Sequence, residues 1–259
     1  MGKLDGKVAI ITGGAGGIGG AAAKLFAAEG GRVLLVDLDA DALQGTVAEI
    51  GAEQAACIVA DVTDGGQTQA YVAAAVEKFG GVDIALLNAG IEGKIMPITD
   101  YPDDMFDKVM AVNVRGVFLG LKYIMPAMSG GGGGSIVITS STAGIRGTTG
   151  MSAYIASKHA VIGLMRTAAL EGADMNIRVN TVNPAPIDTR MMASIEEQRG
   201  LPAGDRSNRP MARALPLQRY GEPEEVARLM LFLGSEDSSF CTGGVYMVDG
   251  GVSAGPRPV

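Results

Sequence analysis

The stretch that decides the fold is K-V-A-I-I-T, Lys7 to Thr12, followed by G-G-A-G-G-I-G, Gly13 to Gly19. The first six residues form a short β-branched apolar run, which is typical of a strand buried in a parallel sheet. The glycines let the backbone approach a ligand closely. An alanine-rich helical pattern then runs from Ala21 to Glu29. Strand, glycine turn and helix in this order predict a pyrophosphate site, because a helix begins with unpaired N–H groups and a positive dipole end.

An acidic residue follows the next strand. The run R-V-L-L-V, Arg32 to Val36, is a second buried strand, and it ends in Asp37. A carboxylate at this place binds both ribose hydroxyls of a dinucleotide and repels a 2′-phosphate. Neither Gly14 in the loop nor Leu38 after the acid supplies the cation that a 2′-phosphate requires. The pattern therefore predicts NAD rather than NADP.

A second signal lies in the middle of the chain, where Tyr154 and Lys158 are four residues apart and Ser141 lies thirteen residues upstream. A phenol titrates near ~10 and is a poor base at neutral pH. A lysine one helical turn away lies on the same helix face, and its positive charge favours the phenolate. A hydroxyl alongside then hydrogen-bonds the substrate oxygen that gains or loses a proton. The spacing predicts an acid/base for an alcohol or a ketone.

Together these residues resemble the short-chain dehydrogenase/reductase family, in its compact single-domain branch. The glycine pattern T-G-x-x-x-G-x-G, from Thr12 to Gly19, fits that family better than the tighter G-x-G-x-x-G of other Rossmann proteins. Further motifs follow in family order, and the resemblance runs from about Lys7 to Gly251. They are Asp61-Val62, Asn88-Ala89-Gly90, Asn113 within V-N-V, the triad Ser141, Tyr154 and Lys158, and Asn183-Pro184.

The resemblance implies a role for each motif. Tyr154 would be the acid/base, Ser141 would hold the substrate oxygen, and Lys158 would lower the pKa of Tyr154 and bind the nicotinamide ribose. Asn113, the fourth catalytic residue, would anchor a water on the proton path. The cofactor would be bound by Gly13, Gly17, Ile18, Gly19, Asp37, Leu38, Asp61, Val62, Asn88, Ala89, Gly90, Tyr154, Lys158, Pro184, Ile187 and Thr189.

The fold predicted is a single-domain, doubly wound α/β sheet over residues 1–259, with about seven parallel strands and helices on both faces. A chain of this length with 47% hydrophobic residues can bury one such core. The predicted strands are Lys7–Thr12, Arg32–Val36, Ala56–Ala60, Asp83–Leu87, Ser135–Thr139, Ile177–Val182 and Gly244–Val248. Helical patterns besides the first are Thr63–Phe79, Asp103–Met128 in two segments meeting near Asn113, Tyr154 to Glu171, and Gly221 to Leu233.

Composition excludes several classes of function. The single histidine, His159, rules out a Ser-His-Asp hydrolase and a His-rich site, so no metal is expected. The net charge of −7 argues against a nucleic-acid partner. No apolar run approaches the ~18 residues of a membrane span, and Cys57 and Cys241 are typical of thiols in a reducing compartment. We expect a cytoplasmic protein without a membrane partner, and the resemblance implies a homotetramer or homodimer.

One motif departs from the family pattern. Relatives usually have Pro-Gly after the sixth strand, where this chain has Pro184-Ala185. Alanine restricts the backbone to φ < 0 far more than glycine does. We expect the site to survive with a stiffer segment.

The substrate is the least determined part. The segment 190–217 follows Thr189 and predicts a lid over the substrate, although a surface helix pair with solvated charges explains its pattern equally well. Candidate substrate contacts are Arg146, Met191 and Met192. Arg146, like Glu92 or Lys94, would meet a charged or polyhydroxylated substrate.

Three functions remain open. The leading one is an NAD-dependent dehydrogenase of a secondary alcohol or ketone, including a sugar-like polyol. The second is a reductase of 3-oxoacyl carriers, which usually prefers NADPH and is therefore disfavoured by Asp37. The third is a non-catalytic dinucleotide-binding scaffold or sensor, which an intact Ser141, Tyr154 and Lys158 disfavours.

Overall fold

In the computed structural model, which describes residues 2–201 and 211–255, seven parallel strands form one sheet in the order β3-β2-β1-β4-β5-β6-β7. The strands are β1 (Val8–Thr12), β2 (Arg32–Asp37), β3 (Ala55–Val59), β4 (Ile84–Leu87), β5 (Gly134–Thr139), β6 (Ile177–Pro184) and β7 (Val245–Val248). All seven predicted strands are confirmed, and each end shifts by at most two residues. The order reverses between β1 and β4, which is where doubly wound sheets bind ligands.

Eight helices connect the strands in the described part of the chain. They are α1 (Gly17–Ala28), α2 (Ala40–Ile50), α3 (Gly65–Phe79), α4 (Asp103–Met110), α5 (Gly116–Gly130), α6 (Ser152–Gly172), α7 (Arg190–Gln198) and α8 (Pro223–Gly234). The first helix begins earlier than predicted, since the glycine turn itself continues into it. Helix α2 was not predicted, and its start is fixed by Asp39, whose side chain accepts a hydrogen bond from the Ala42 amide.

Two apolar layers enclose the sheet. One face is covered by α1, α2 and α8, through side chains such as Phe26, Leu43 and Met230. The other is covered by α3, α5 and α6, and Tyr71 and Ile124 are buried there. Each large apolar side chain buried in this way contributes about 1.5–3 kcal/mol. The layers hold the strand ends rigidly, and the site depends on those ends.

The helical stretch Asp103–Gly130 is interrupted by a π-helical turn, Ala111–Arg115, between α4 and α5. The predicted junction of two segments near Asn113 is thus confirmed, and single π-turns are frequent at functional sites. By length and hydropathy the stretch would be able to cross a membrane, but half of its most apolar window is buried inside the fold. A core helix has the same properties, so this is weak evidence for a span.

The strand register brings the chemistry-bearing residues to one edge. Thr12 at the end of β1 pairs with Val36 on one side and Leu87 on the other, and Thr139 at the end of β5 pairs with Val182. Because all strands are parallel, the residues that follow them lie at the same edge of the sheet.

Candidate active site

The turn after β1 is shaped by glycine. Gly13 and Gly17 have φ of 67° and 53°, in the left-handed region that favours glycine. A Cβ on Gly19 would lie 2.1 Å from the carbonyl oxygen of Gly13, so no side chain fits there. Helix α1 has no side-chain cap, and a Cβ on Gly16 at its start would meet no atom within 4 Å. The first N–H groups of α1 therefore remain for an anion such as a pyrophosphate.

The Asp37 carboxylate lies over this turn. One of its oxygens accepts a hydrogen bond from the Ala15 amide at 3.1 Å, and the other from the Leu38 amide at 2.7 Å. The Leu38 side chain beside it is 68% exposed. On the neighbouring strand Asp61 accepts from the Thr63 amide at 2.8 Å. Asp37 and Leu38 thus lie beside the turn and Asp61 lies farther along the same sheet edge, and these residues fit the ribose and base of a dinucleotide.

Asn88 joins the glycine turn to β5. Its Nδ2 donates to the carbonyl oxygens of Thr12 and Gly13 at 3.2 and 3.4 Å, and its Oδ1 accepts from the Thr139 hydroxyl at 3.1 Å. The side chain that was predicted to bind the cofactor is thus engaged inside the protein. Gly90 lies against the catalytic group, since a Cβ there would be 3.2 Å from Asn113 Oδ1 and 3.5 Å from Lys158 Nζ.

Tyr154 and Lys158 lie on successive turns of α6, and both are buried. The Lys158 Nζ is 5.5 Å from the centroid of the Tyr154 ring, and it donates to the carbonyl oxygen of Thr139 at 2.8 Å. The Ser140 hydroxyl donates to the backbone carbonyl of Lys158 at 2.9 Å. The end of β5 therefore fixes both the ammonium group and the helix that carries it.

The pKa values of this pair differ from the expected ones. Burial raises the pKa of Tyr154 to about 12; a hydrogen bond with Ser141 opposes the rise, and the charge of Glu92 adds to it. Burial also lowers the pKa of Lys158 to about 8. The expected lowering of the tyrosine pKa by Lys158 is not observed in the protein alone, because the same apolar surroundings disfavour both the phenolate and the ammonium form. Tyr154 is a neutral phenol at pH 7, which is the form that donates a proton.

Ser141 is held by the ends of β5 and β6. Its hydroxyl donates to the carbonyl oxygen of Pro184 at 3.3 Å and accepts from the Ala143 amide at 3.1 Å. The Nδ2 of Asn183 donates to the Ser141 carbonyl oxygen at 2.8 Å. The hydroxyl proton lies in a weak bond, so it can turn to a substrate oxygen.

Asn113 braces two parts of the site. Its Oδ1 accepts from the Ile91 amide at 2.8 Å, while its Nδ2 donates to the Ile91 carbonyl at 2.9 Å and to the Ser157 hydroxyl at 3.0 Å. Ser157 in turn donates to the backbone carbonyl of Tyr154 at 2.7 Å. Both amide hydrogens are used by protein groups. The side chain therefore positions the loop after β4 and the Tyr154 turn, and the expected anchoring of a water by Asn113 stays a prediction.

Comparison with known proteins identifies the family. A family model described as enoyl-(acyl carrier protein) reductase matches residues 13–253. Levodione reductase of Leifsonia aquatica is 40% identical over 97% of this chain and 96% of its own. The chain belongs to the short-chain dehydrogenase/reductase family. As a member of this family it is an oxidoreductase that acts on CH–OH groups with a nicotinamide dinucleotide.

Further relatives agree with this assignment. Cyclohexanol dehydrogenase of Acinetobacter sp. (strain SE19) is 39% identical over 96% of this chain and 95% of its own. A 3-oxoacyl-[acyl-carrier-protein] reductase of Thermotoga maritima is 40% identical over 96% and 99%. The crystal structure of levodione reductase superposes with a TM-score of 0.91 at 39% identity, covering 97% of this chain and 99% of that one. The predicted short-chain dehydrogenase/reductase family and fold are confirmed.

The segment after β6 tolerates its departure from the family pattern. The described non-glycine residues with positive φ are Asn176 and Gln218, so Ala185 has an ordinary backbone conformation, and its amide donates to the Val248 carbonyl at 3.0 Å. Alanine therefore costs no strain at this position. Farther on, Ile187 is buried in the core, and the Thr189 methyl lies 3.5 Å from the place of a Cβ on Gly17. The segment thus reaches the glycine turn.

The substrate residues separate into two groups. Met191 and Met192 belong to an apolar cluster that contains Tyr154, whereas Arg146 lies on an exposed loop, where its charge helps to lower the pKa of Asp249. The buried members of this cluster are Ala143, Met151, Tyr154, Met192, Ile195, Ala212, Leu215, Tyr220 and Val252. Within the predicted lid 190–217, residues 202–210 lie outside the described residues, and α7 forms the first part.

Several residues of the site were missed because their role is to position others. Thr139 and Ser157 bond the motif residues but belong to no motif themselves. The only sequence feature that could have indicated these two residues is their position, since Thr139 and Ser157 are next to Ser140 and Lys158. Gln198, 103 residues beyond its partner Ile95, gave no signal at all.

Proposed function

We propose that this protein is an NAD(H)-dependent oxidoreductase that interconverts a secondary alcohol and its ketone, and that its substrate is an apolar alicyclic compound of about the size of cyclohexanol. The observation that carries the proposal is the buried Tyr154 phenol, whose pKa is affected by the nearby Ser141 hydroxyl and which is surrounded by apolar side chains. An acid/base in such surroundings acts on a carbinol or carbonyl oxygen.

Tyr154, Ser141 and Lys158 would have separate roles in proton transfer. A bound nicotinamide supplies or accepts the hydride. In reduction Tyr154 donates its phenol proton to the carbonyl oxygen, and Ser141 donates a hydrogen bond to the same oxygen as charge develops on it. In oxidation the phenolate accepts the hydroxyl proton. Lys158, fixed by the Thr139 carbonyl, provides the charge that favours the phenolate once the dinucleotide is bound.

Asp37 supports NAD as the cofactor. Its carboxylate is held by the amides of Ala15 and Leu38 beside the glycine turn. There it can accept hydrogen bonds from ribose hydroxyls, and it would repel a 2′-phosphate. The uncapped start of α1 would hold the pyrophosphate, and the segment Pro184–Thr189 together with Asn88-Ala89-Gly90 would surround the nicotinamide.

The apolar cluster supports the proposed substrate class. Met151, Met192 and Ile195 are buried around Tyr154, and they offer dispersion contacts to a hydrocarbon ring rather than hydrogen bonds to a polyol. The name of the relative cyclohexanol dehydrogenase gives a compound of this kind. The exposed Arg146 gives no support to a charged substrate.

A single assay panel tests the proposal. Cyclohexanol and cyclohexanone, sorbitol, and acetoacetyl thioester would each be measured with NAD(H) and NADP(H). We expect cyclohexanone with NADH to give the highest kcat/KM, at least about 10-fold above NADPH, since one charge-assisted contact to the ribose is worth this much. Acetoacetyl thioester with NADPH as the best pair would favour the carrier-linked reductase, a candidate supported by the Thermotoga relative. Dinucleotide binding without turnover of any substrate would favour the scaffold.

We also propose a homotetramer or homodimer in the cytoplasm. Phe118 on α5 and Leu170 on α6 are large apolar side chains that are 47% and 80% exposed, and association would bury such side chains. Light scattering of the purified protein measures the assembly.

A further inference from the structure

Two walls of the apolar cluster come from distant parts of the sequence. One is the loop after β4, residues 91–96, from which Ile95 packs against the cluster. The other is α7, which contributes Met191, Met192 and Ile195. Because the cluster contains Tyr154, the separation of these walls sets the space for the substrate next to the acid/base.

The Gln198 side chain joins the two walls. Its Oε1 accepts a hydrogen bond from the Ile95 amide at 3.0 Å, and its Nε2 donates to the Gly93 carbonyl at 3.2 Å. The Ser194 hydroxyl, one turn back on α7, accepts from the same Nε2 at 3.4 Å and orients the amide. One side chain thus pairs with both an N–H and a carbonyl group of the loop backbone, as the backbone of a neighbouring strand does in a sheet.

The loop is a fixed partner for this contact. It is bonded at Ile91 by Asn113, the Lys94 amide donates to the Tyr101 hydroxyl at 3.1 Å, and the Met96 amide donates to the Gly150 carbonyl at 2.9 Å. The loop is therefore tied to the catalytic residue behind it. A helix docked on it is positioned relative to Tyr154.

Helix α7 has buried contacts at both ends. Thr189 caps its first turn, and in its last turn the Tyr220 hydroxyl donates to the buried Glu196 at 2.5 Å. Gln198 at the last turn is exposed, so water competes for both of its bonds. These two exposed bonds can therefore break while the buried contacts of Ile195 and Glu196 remain.

We propose that Gln198 is a positioning residue that holds α7 closed over the substrate, and this proposal rests on the proposed function of the site. Opening of the clamp lets the alcohol or ketone enter, and its closure completes the apolar wall around the substrate ring. The glycine turn, where the dinucleotide would bind, adjoins the first turn of α7 through Thr189, at the opposite end of the helix from Gln198. Loss of the clamp therefore weakens substrate binding and spares cofactor binding.

Steady-state kinetics with cyclohexanone and NADH test this effect. We expect Gln198→Ala to raise the KM for cyclohexanone about 5- to 10-fold, the loss expected for one or two exposed hydrogen bonds, with kcat and the Kd of NADH unchanged. Gln198→Glu keeps the acceptor for the Ile95 amide and loses the donor to Gly93, so its KM should be intermediate. The matched control is Glu197→Ala, an exposed neighbour on the same helix. A KM within 2-fold of wild type in Gln198→Ala, or an equal rise in the control, would overturn the proposal.

Limited trypsin digestion gives a readout that does not depend on the substrate. Arg199 is exposed directly after Gln198, and cleavage after it reports undocking of this end of the helix. We expect faster cleavage there in Gln198→Ala than in wild type and Glu197→Ala, at unchanged melting temperature. Equal cleavage rates would overturn the clamp. If wild type does not turn over cyclohexanone, the proposed function fails for that substrate, and the digestion alone decides the clamp.

Discussion

The two halves of the sheet edge offer different kinds of groups to a ligand. The half after β1 and β2 uses backbone N–H groups, glycines and solvent-facing side chains such as Asp37 and Leu38. The half after β5 and β6 uses buried side chains, Asn113, Tyr154 and Lys158, each fixed by hydrogen bonds inside the protein. The first half presents separate groups that water already solvates, whereas the second is one connected network.

This difference determines how each half responds to mutation. Groups in contact with water act nearly independently, so their effects should be modest and additive. Members of a buried network share partners, and removing one leaves others unsatisfied, so their effects should be large and non-additive. Four substitutions test this difference, from Tyr154 at the centre of the network to Glu225 in an exposed ion pair.

The largest effect should come from Tyr154→Phe. The ring stays in the apolar cluster, but the proton donor is lost, so kcat should fall by about 10³-fold or more, as expected for general acid–base catalysis. Binding of NADH, followed by fluorescence, and the melting temperature should be unchanged. Tyr123→Phe on α5 removes a phenol elsewhere and is the control. Activity near wild type in Tyr154→Phe would contradict the assignment of Tyr154 as the acid/base of the network.

A smaller effect is expected for Asp37→Ala in the half of the sheet edge after β1 and β2. It should raise the KM for NAD about 10- to 100-fold, since contacts to a charged group contribute ~1.5–3 kcal/mol, while the KM for NADP stays constant or falls. Asp41→Ala removes an exposed carboxylate nearby in α2 and should leave both values unchanged. Equal losses for the two cofactors would mean that Asp37 supports the fold rather than the choice of cofactor.

Glu92 tests whether the charge of a half-buried loop residue affects the buried network. Its charge raises the pKa of Tyr154, so Glu92→Gln should lower that pKa. Oxidation needs the phenolate and increases with pH up to the pKa, and the rise should therefore occur at lower pH in the variant, by less than about one unit. This shift is measured from the pH profile of kcat/KM for oxidation of the alcohol. Glu77→Gln on α3 should not move the profile, and a shift to higher pH in Glu92→Gln would refute the electrostatic link.

The smallest effect belongs to an exposed ion pair, Arg219–Glu225, beside the segment Pro184–Thr189. Arg219 and a backbone bond from Glu222 lower the pKa of Glu225 to about 2. A depressed carboxyl pKa stabilises the fold above the unfolded value of 4.5 and loses that contribution as the pH falls toward 2. Thermal unfolding at pH 6 and pH 3 should show a slightly larger loss in wild type than in Glu225→Gln. We expect less than about 1 kcal/mol, because the pair is largely solvated; a reversed difference would contradict the sign.

The sequence predicted those parts of the molecule that depend on local pattern. Apolar β-branched runs located all seven strands, since buried strands need them, and the glycine turn placed the first helix. Contacts between distant residues left no such pattern. The bonds of Asn183 to Ser141 and of Gln198 to Ile95 depend on how the strands are ordered in space. The pKa of Tyr154 was expected to fall and instead rises, because burial is a property of the whole fold and not of the four-residue spacing.

Asn88 has a consequence for building hybrid enzymes. Its amide spans the glycine turn and β5, through Thr12, Gly13 and Thr139. A hybrid that takes β1 to β3 from one relative and β4 to β7 from another would cut across this bridge. Such a hybrid should work only where both parents carry matching residues at the positions of Thr12, Asn88 and Thr139. In a hybrid the two halves of the sheet therefore have to be matched to each other at these three positions.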